Sequence, residues 1–270
     1  MKDGGGQIAG LISELDGGVL RLSFDRSDKR NALDDVIVAG LISSLADAAT
    51  DESVRVVVIS GRGEHFCSGF DIVARNAPGG VRPRVGSIQR RLPLQANRLI
   101  TLMLRTQVPI VCSVQGWAAG IGLNMALAAD FTIAATHARF WAPFVDRGFT
   151  PDSGSTWMLP RRVGEVRARE MLLLGRVVSG AEAADWGMIH RSVEPSSLEA
   201  ATDELVARLA SSPTVAIGLA KSLLASSPTA ALESQMQDES YAMELSSRSE
   251  DFKEGLAAFR DKRDPDFHGR

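Results

Sequence analysis

The chain predicts an α/β fold that closes with a helical C-terminal region, and three observations carry that prediction. An alternating strand, an amphipathic helix and a fully apolar strand follow one another near the N-terminus, which is the βαβ order of a parallel sheet. The same order recurs in the middle of the chain, and from about Ser179 onward the pattern is mostly helical. With 270 residues, 44% of them hydrophobic, there is enough apolar material for one large domain or two small ones.

In order along the chain, residues 1–6 are glycine-rich and read as frayed, with order beginning near Gln7. Residues 8–15 and 18–24 alternate as two strands joined at Asp16-Gly17-Gly18, a hairpin turn signal. After a loop over 25–32, Ile37, Leu41, Ile42, Leu45 and Ala49 recur at helical spacing, and Asp34 and Asp35 stand where a helix N-terminus favours negative charge. Residues 54–60 (VRVVVIS) lack the polar alternation of a half-exposed strand and read as a buried parallel one. A polar Gly/Pro/Arg-rich stretch over 76–91 leads to a helix over 94–105, a strand over 109–114, a glycine-rich turn, a helix over 120–129 and a strand over 131–135. Helical patterns then cover 181–186, 197–210, 214–225, 229–245 and 251–262, separated by Pro, Gly and Ser. The simplest division is a sheet-bearing core over 7–195 and a helical region over 196–270.

Charge and composition exclude several function classes. Thirty Lys and Arg face 33 Asp and Glu, a net charge of -3 with no long run of either sign, so the footprint of a nucleic-acid binder is missing. The longest apolar stretches, such as 117–129, fall short of the ~20 residues a membrane span needs. The first residues lack a basic flank followed by an apolar core, and two distant cysteines, Cys67 and Cys112, suggest neither a disulfide framework nor a zinc site. A reducing cytoplasm is the expected location. His65, His137, His190 and His268 have no ligand spacing, so no metal is expected.

Two glycine-containing turns share one design, in which a buried strand ends and small residues bring main-chain N–H groups into the open. They are Gly61-Arg62-Gly63-Glu64-His65-Phe66-Cys67-Ser68-Gly69-Phe70-Asp71 and Gly116-Trp117-Ala118-Ala119-Gly120-Ile121-Gly122. The second leads into an apolar helix, which puts its N–H groups at the positive end of a helix dipole; such a pair of turns can build an oxyanion hole. Two tight connections that use glycine for positive φ explain the same residues without chemistry. A dinucleotide fingerprint fails because Phe66 stands where its third glycine belongs, and GxxxxGK[ST], HExxH and GxSxG are absent.

Phe66-Cys67-Ser68-Gly69-Phe70-Asp71-Ile72 resembles the F-(S/C)-(A/S)-G-x-D-(L/I) segment of the enoyl-CoA hydratase/isomerase (crotonase) superfamily. Lys29-Arg30-Asn31-Ala32-Leu33 is similar to its N-A-L segment, and residues 109–116 to P-x-(I/V)-A-x-(V/I)-x-G. Ala128-Ala129-Asp130 is similar to the C/A-x-D that closes the next helix. Leu173-Leu174-Gly175 with residues 181–187 resembles L-T-G…A-x-E-A-x-x-x-G-L, and residues 259–267 resemble F-x-x-K-R-x-P-x-F. The resemblance implies a crotonase-like spiral of ββα units, a helical C-terminal region that forms a homotrimer or a dimer of trimers, and an acyl-CoA thioester substrate, with coenzyme A entering as part of that substrate and no separate cofactor. It implies that the thioester oxygen is held by the N–H groups of Ser68 and Ile121, or Gly120 if the register differs by one. It also implies that the stretch over 76–91 lines the acyl tunnel.

Hydration in this family uses two glutamates. The resemblance places them at Asn124 and Phe144, neither of which exchanges a proton near neutral pH. Pro151-Asp152-Ser153-Gly154 is similar instead to the P-D-x-G segment of the family's isomerases, whose aspartate shuttles a proton between C2 and C4, and a similarly placed aspartate is the nucleophile of its aryl-CoA dehalogenases. Asp152 also suits the N-cap of a helix starting near Ser153. Trp117, Trp141, Phe144 and Trp157 are candidate walls of an apolar acyl pocket or ordinary core. Lys29, Arg30, Lys262 and Arg263 are candidates for the CoA phosphates by resemblance, and Phe70, Asp71, Ile72 and Phe259 for other substrate contacts, with Asp71 equally suited to tying down its own turn. The expected chemistry is a double-bond shift in an enoyl-CoA with Asp152 as base. Hydration, hydrolysis, dehalogenation and non-catalytic acyl-CoA binding are the alternatives.

Overall fold

A computed structural model of the chain describes residues 8–75 and 84–270. The hairpin is β1 (Leu11–Asp16) and β2 (Val19–Phe24), whose two-residue loop places Gly17 and Gly18 at φ 54° and 81°, a geometry that needs glycine. Ile8 makes only an isolated bridge to Leu11, so the first strand starts later than its alternation suggests. Helix α1 (Asp35–Ala48) is capped by Asp34, whose Oδ1 accepts the N–H groups of Val36 and Ile37 at 3.1 and 3.0 Å. Next come β3 (Val56–Gly61), the short α2 (Ile72–Arg75), α3 (Ser87–Arg91) and α4 (Ala96–Arg105). Expectations for residues 1–7 and 76–83 lie outside the described residues; within 84–91 the structure has α3 where the sequence reads as a polar stretch.

The middle of the chain is β4 (Ile110–Val114), β5 (Trp117–Ala119), α5 (Ile121–Ala128), β6 (Phe131–Ala135), β7 (Arg139–Trp141) and α6 (Ser155–Leu174), the last broken at Gly164. It is followed by β8 (Val178–Ser179), α7 (Gly180–Asp185) and β9 (Arg191–Val193). The C-terminal helices are α8 (Leu198–Ala210), α9 (Thr214–Ser226), α10 (Leu232–Ser246) and α11 (Glu250–Asp261).

The main sheet runs β1-β2-β3-β4-β6-β9, antiparallel only in the hairpin, and a smaller sheet runs β5-β7-β8. Parallel bridges from Leu33 to Phe70 and from Cys67 to Ala118 extend the small sheet backwards. Each turn of chain thus lays one strand in the large sheet, one segment in the small sheet and then a helix, which is the ββα spiral. The apolar run of β3 is buried on both faces. Val57 and Ile59 join the main core with Phe24, Phe66, Leu99 and Phe140, while Val56 and Val58 meet Val206 and Leu209 of α8. Burial on both faces is why this run lacks polar alternation. The strands of the second sheet and β9 are missed by the sequence reading, since each is only two or three residues long.

Candidate active site

The turn after β3 and the start of α5 are laced together. Cys67 N–H donates to the Trp117 carbonyl at 2.8 Å and Ala119 N–H to the Cys67 carbonyl at 2.9 Å. On its other side the turn pairs with the segment after β2, through Leu33 N–H to the Gly69 carbonyl and Asp71 N–H to the Leu33 carbonyl, both 2.8 Å. Gly122 is required where α5 meets the turn, because a Cβ there would stand 2.5 Å from the Cys67 carbonyl oxygen. Burial pushes the Cys67 thiol up to about 12, so it is inert as a nucleophile here.

These ladders decide which N–H groups are available. Ser68 N–H donates to the Arg30 carbonyl at 3.0 Å and its hydroxyl to the Lys29 carbonyl at 3.3 Å, so the expected Ser68 donor is already engaged. Gly120 N–H donates to the Trp141 carbonyl at 3.0 Å, which removes the alternative register. Ile121 N–H opens α5 and has no acceptor among the described residues, as expected at a helix N-terminus. Leu33 bonds the residues on either side of Phe70, which bridges to it in parallel.

Asp152 comes to this end of α5 through Asn124. The Asn124 Nδ2 donates to the Asp152 carbonyl at 3.1 Å, and the Asp152 carboxylate accepts the Ser153 hydroxyl at 2.9 Å. Among the described residues no cation pairs with this carboxylate. Burial raises its pKa above the ordinary carboxylate value and the Ser153 hydroxyl opposes the rise. Its expected capping role is not found: α6 starts at Ser155 after Gly154, and the Asp152 carbonyl, not its carboxylate, receives the Ser155 N–H.

Phe144 is buried and meets Phe149 edge to face, with ring centroids 5.7 Å apart, in the segment that leads to Asp152. Trp117 and Trp141 pack on each other at 5.6 Å. The Trp117 ring lines a separate cavity of about 470 Å³ with His65, Gln115, His137 and Arg139, and the Trp141 Nε1 is tied to the Gly175 carbonyl at 3.0 Å. Trp157 is exposed under the Arg161 guanidinium at 4.1 Å. Of the four candidate walls, Phe144 with its partner Phe149, which the sequence reading did not single out, lies in the segment that leads to Asp152.

Asp71 ties down its own turn. Its Oδ1 accepts the Ala74 N–H at 3.0 Å and its Oδ2 faces Lys29 at 3.3 Å and Arg26 at 3.5 Å. The Ala74 N–H first, and then Lys29 and Arg26, hold its pKa below the ordinary value. Lys29 is thus ion-paired, while Arg30 is exposed; Phe70 and Ile72 are half-buried beside the turn. Phe259 and Lys262 are exposed on α11 and just beyond it, and Arg263 grips Glu254 at 2.5 and 2.8 Å. Among the described residues no hydrogen bond or ion pair joins α11 to the turns around Asp152, and no three His, Cys, Asp or Glu side chains gather as a metal-ligand set.

A family model described as enoyl-CoA hydratase/isomerase matches residues 14–270. The chain is 36% identical over 261 residues to 1,2-epoxyphenylacetyl-CoA isomerase of Escherichia coli, covering 96% of this chain and 98% of the relative. It is 31% identical over 245 residues to 4-chlorobenzoyl coenzyme A dehalogenase-1 of an Arthrobacter species, covering 91% and 88%. The crystal structure of an enoyl-CoA hydratase from Bacillus anthracis superposes with a TM-score of 0.89 at 27% identity, covering 97% of this chain and all of that one, 100%.

Proposed function

The chain belongs to the enoyl-CoA hydratase/isomerase family, and from that premise we propose that it shifts the double bond of an enoyl-CoA thioester with Asp152 as its single base. The observation that carries this reading is that Asp152, whose carboxylate has no cation among the described residues, is held through its carbonyl by Asn124, on the helix whose first N–H, at Ile121, has no acceptor among those residues. The thioester oxygen sits on the Ile121 N–H at the start of α5, beside the turn after β3. Asp152 removes a proton from C2 of a 3-enoyl thioester, the C2 electron pair enters an enolate stabilised by that N–H group, and the carboxylic acid returns its proton to C4. The enzyme ends as it began and no water is consumed.

Hydration is disfavoured on the same residues. Where the family's hydratases carry their glutamates this chain has Asn124, which is buried and already hydrogen-bonded, and Phe144, which is buried against Phe149. The Phe144–Phe149 pair also favours a ring-bearing acyl group, the class to which the substrate named for the Escherichia coli relative belongs. The helical C-terminal region exposes Leu224, Leu232, Met236, Tyr241, Leu245 and Phe259, which supports assembly into a trimer or a pair of trimers. Among the described residues no helix is long and apolar enough to cross a membrane, and we place the enzyme in the cytoplasm.

The test is turnover of 3-enoyl-CoA, 2-enoyl-CoA and 1,2-epoxyphenylacetyl-CoA by the parent and by Asp152→Asn, followed by absorbance and product mass. The reading expects isomerised products of unchanged mass, lost in the variant. Hydrated product from both proteins defeats it, and silence of both on every thioester moves the protein to acyl-CoA binding without turnover.

A further inference from the structure

Asn124 is wholly buried, and a buried primary amide is tolerated only when its donors and acceptor find partners. Its Nδ2 donates to the Asp152 carbonyl at 3.1 Å, and its Oδ1 lies 2.9 Å from the Ser155 hydroxyl. That hydroxyl is equally 2.9 Å from the Asp152 carbonyl, which also takes the Ser155 N–H at 3.1 Å. The carbonyl oxygen already has two N–H donors for its two lone pairs, so the one hydroxyl proton goes to Asn124. Asn124, Asp152 and Ser155 therefore close a ring of hydrogen bonds around the peptide that carries the carboxylate.

The ring encloses an unusual turn. Between Asp152 and Ser155, Ser153 has φ 50° and Gly154 φ 87°, two consecutive left-handed residues, and Ser153 is almost fully buried. A non-glycine residue keeps such a conformation only where its surroundings hold it. Here they hold it so that the Ser153 hydroxyl reaches the Asp152 carboxylate at 2.9 Å. Asn124 stands three residues after Ile121 on α5, which puts the two on one face of the helix.

Resting on the reading of Asp152 as the base, we infer that Asn124 is a positioning residue, whose amide fixes the Asp152 peptide at a set place relative to the Ile121 N–H. One helix then carries the oxyanion donor at its first residue and sets the base from one turn further on. A carboxylate in place of Asn124 can still accept the Ser155 hydroxyl, but ionised it has no proton to donate to the Asp152 carbonyl, and its charge opposes ionisation of Asp152. An amide is the side chain that both gives a hydrogen bond to a carbonyl and takes one from a hydroxyl at this length.

The experiment uses the full-length protein and its Asn124→Asp, Asn124→Ala, Ser155→Ala and Asp152→Asn variants, with kcat and KM for the accepted thioester measured across pH and thermal unfolding followed for each. Displacing the base lowers kcat about a hundredfold in both Asn124 variants while KM moves less than about threefold. In Asn124→Asp the acid limb of the kcat profile also shifts to higher pH, a change that loss of folded protein does not produce. Ser155→Ala, which keeps the Asn124 to Asp152 bond, shows a smaller loss of kcat in the same direction and serves if an Asn124 variant fails to fold. Parental kcat and acid limb in a folded Asn124→Asp or Asn124→Ala, or a loss confined to KM, overturns the inference; with neither folded, parental kcat in Ser155→Ala does the same. Parental turnover by Asp152→Asn overturns the underlying reading instead, so the two failures are told apart.

Discussion

Two acidic side chains flank α5, and they are treated in opposite ways. Asp130 follows the C-terminal end of the helix, and its Oδ2 takes the Lys221 ammonium at 2.7 Å and the Ile110 N–H at 2.7 Å. Asp152, bound to the same helix through Asn124, has a neighbouring hydroxyl and no cation among the described residues. Burial raises the pKa of both and is the first cause in each; at Asp130 it is opposed by Lys221, at Asp152 only by Ser153. A carboxylate whose charge is matched and whose oxygen is doubly bonded joins α9 to the sheet. One left without a cation among the described residues is what the proposed reading requires of a base.

The largest effect that can break this comparison is on turnover. Asp152→Asn keeps the size of the side chain and removes the base, so kcat falls about 10²–10⁴-fold with little change in the melting curve, measured on the same preparation. Retained turnover would put the two aspartates in one class.

Next is Lys221→Met, which strands Asp130 with its charge uncompensated. Unfolding in denaturant is expected to show a loss of about 3–5 kcal/mol, while kcat per folded molecule stays parental. A variant as stable as the parent would mean that the pair contributes no more than an exposed one.

Gly122→Ala sharpens the comparison from the helix itself. The added methyl meets the Cys67 carbonyl at 2.5 Å and pushes α5 from the turn, at a cost of about 1–3 kcal/mol and with a fall in kcat that Lys221→Met does not share. Equal kcat in the two variants would detach the oxyanion donor from the packing of α5.

The smallest effect is on stability against pH. Because the folded protein holds the Asp152 proton more tightly than the unfolded chain, ionising it weakens the fold as pH rises from the ordinary aspartate range through the raised folded value. Asp152→Asn is therefore slightly more stable than the parent at neutral pH, and the gain disappears in acid below that range. Thermal melts across pH measure it; a gain that persists unchanged in acid would have another cause.

What was legible in the sequence is what neighbours along the chain decide. Asp34 was readable as charge favoured at a helix N-terminus, and β3 because burial on both faces removes alternation, while Asp152 was singled out by the resemblance of Pro151-Asp152-Ser153-Gly154 to an isomerase segment. The donor assignment was not readable. The Ser68 N–H is taken by the carbonyl of Arg30, more than thirty-five residues earlier. Trp117 and Trp141 read equally as pocket walls or as ordinary core because bulk is visible in a sequence and direction is not. The strands that turn them, β5 and β7, are three residues each, too short for any period to declare itself. The role of Asn124 was readable only as a departure from a hydratase; its partners, at Asp152 and Ser155, are found by the fold.

The most direct test of the account follows one proton. A 3-enoyl-CoA labelled with deuterium at C2 is turned over by the parent and by Asp152→Asn, and the product is located by mass and magnetic resonance. The account predicts a 2-enoyl product of unchanged skeleton with part of the label carried to C4 by the parent, and no product from the variant. A product that has gained the elements of water, formed by both proteins at the same rate, would contradict it.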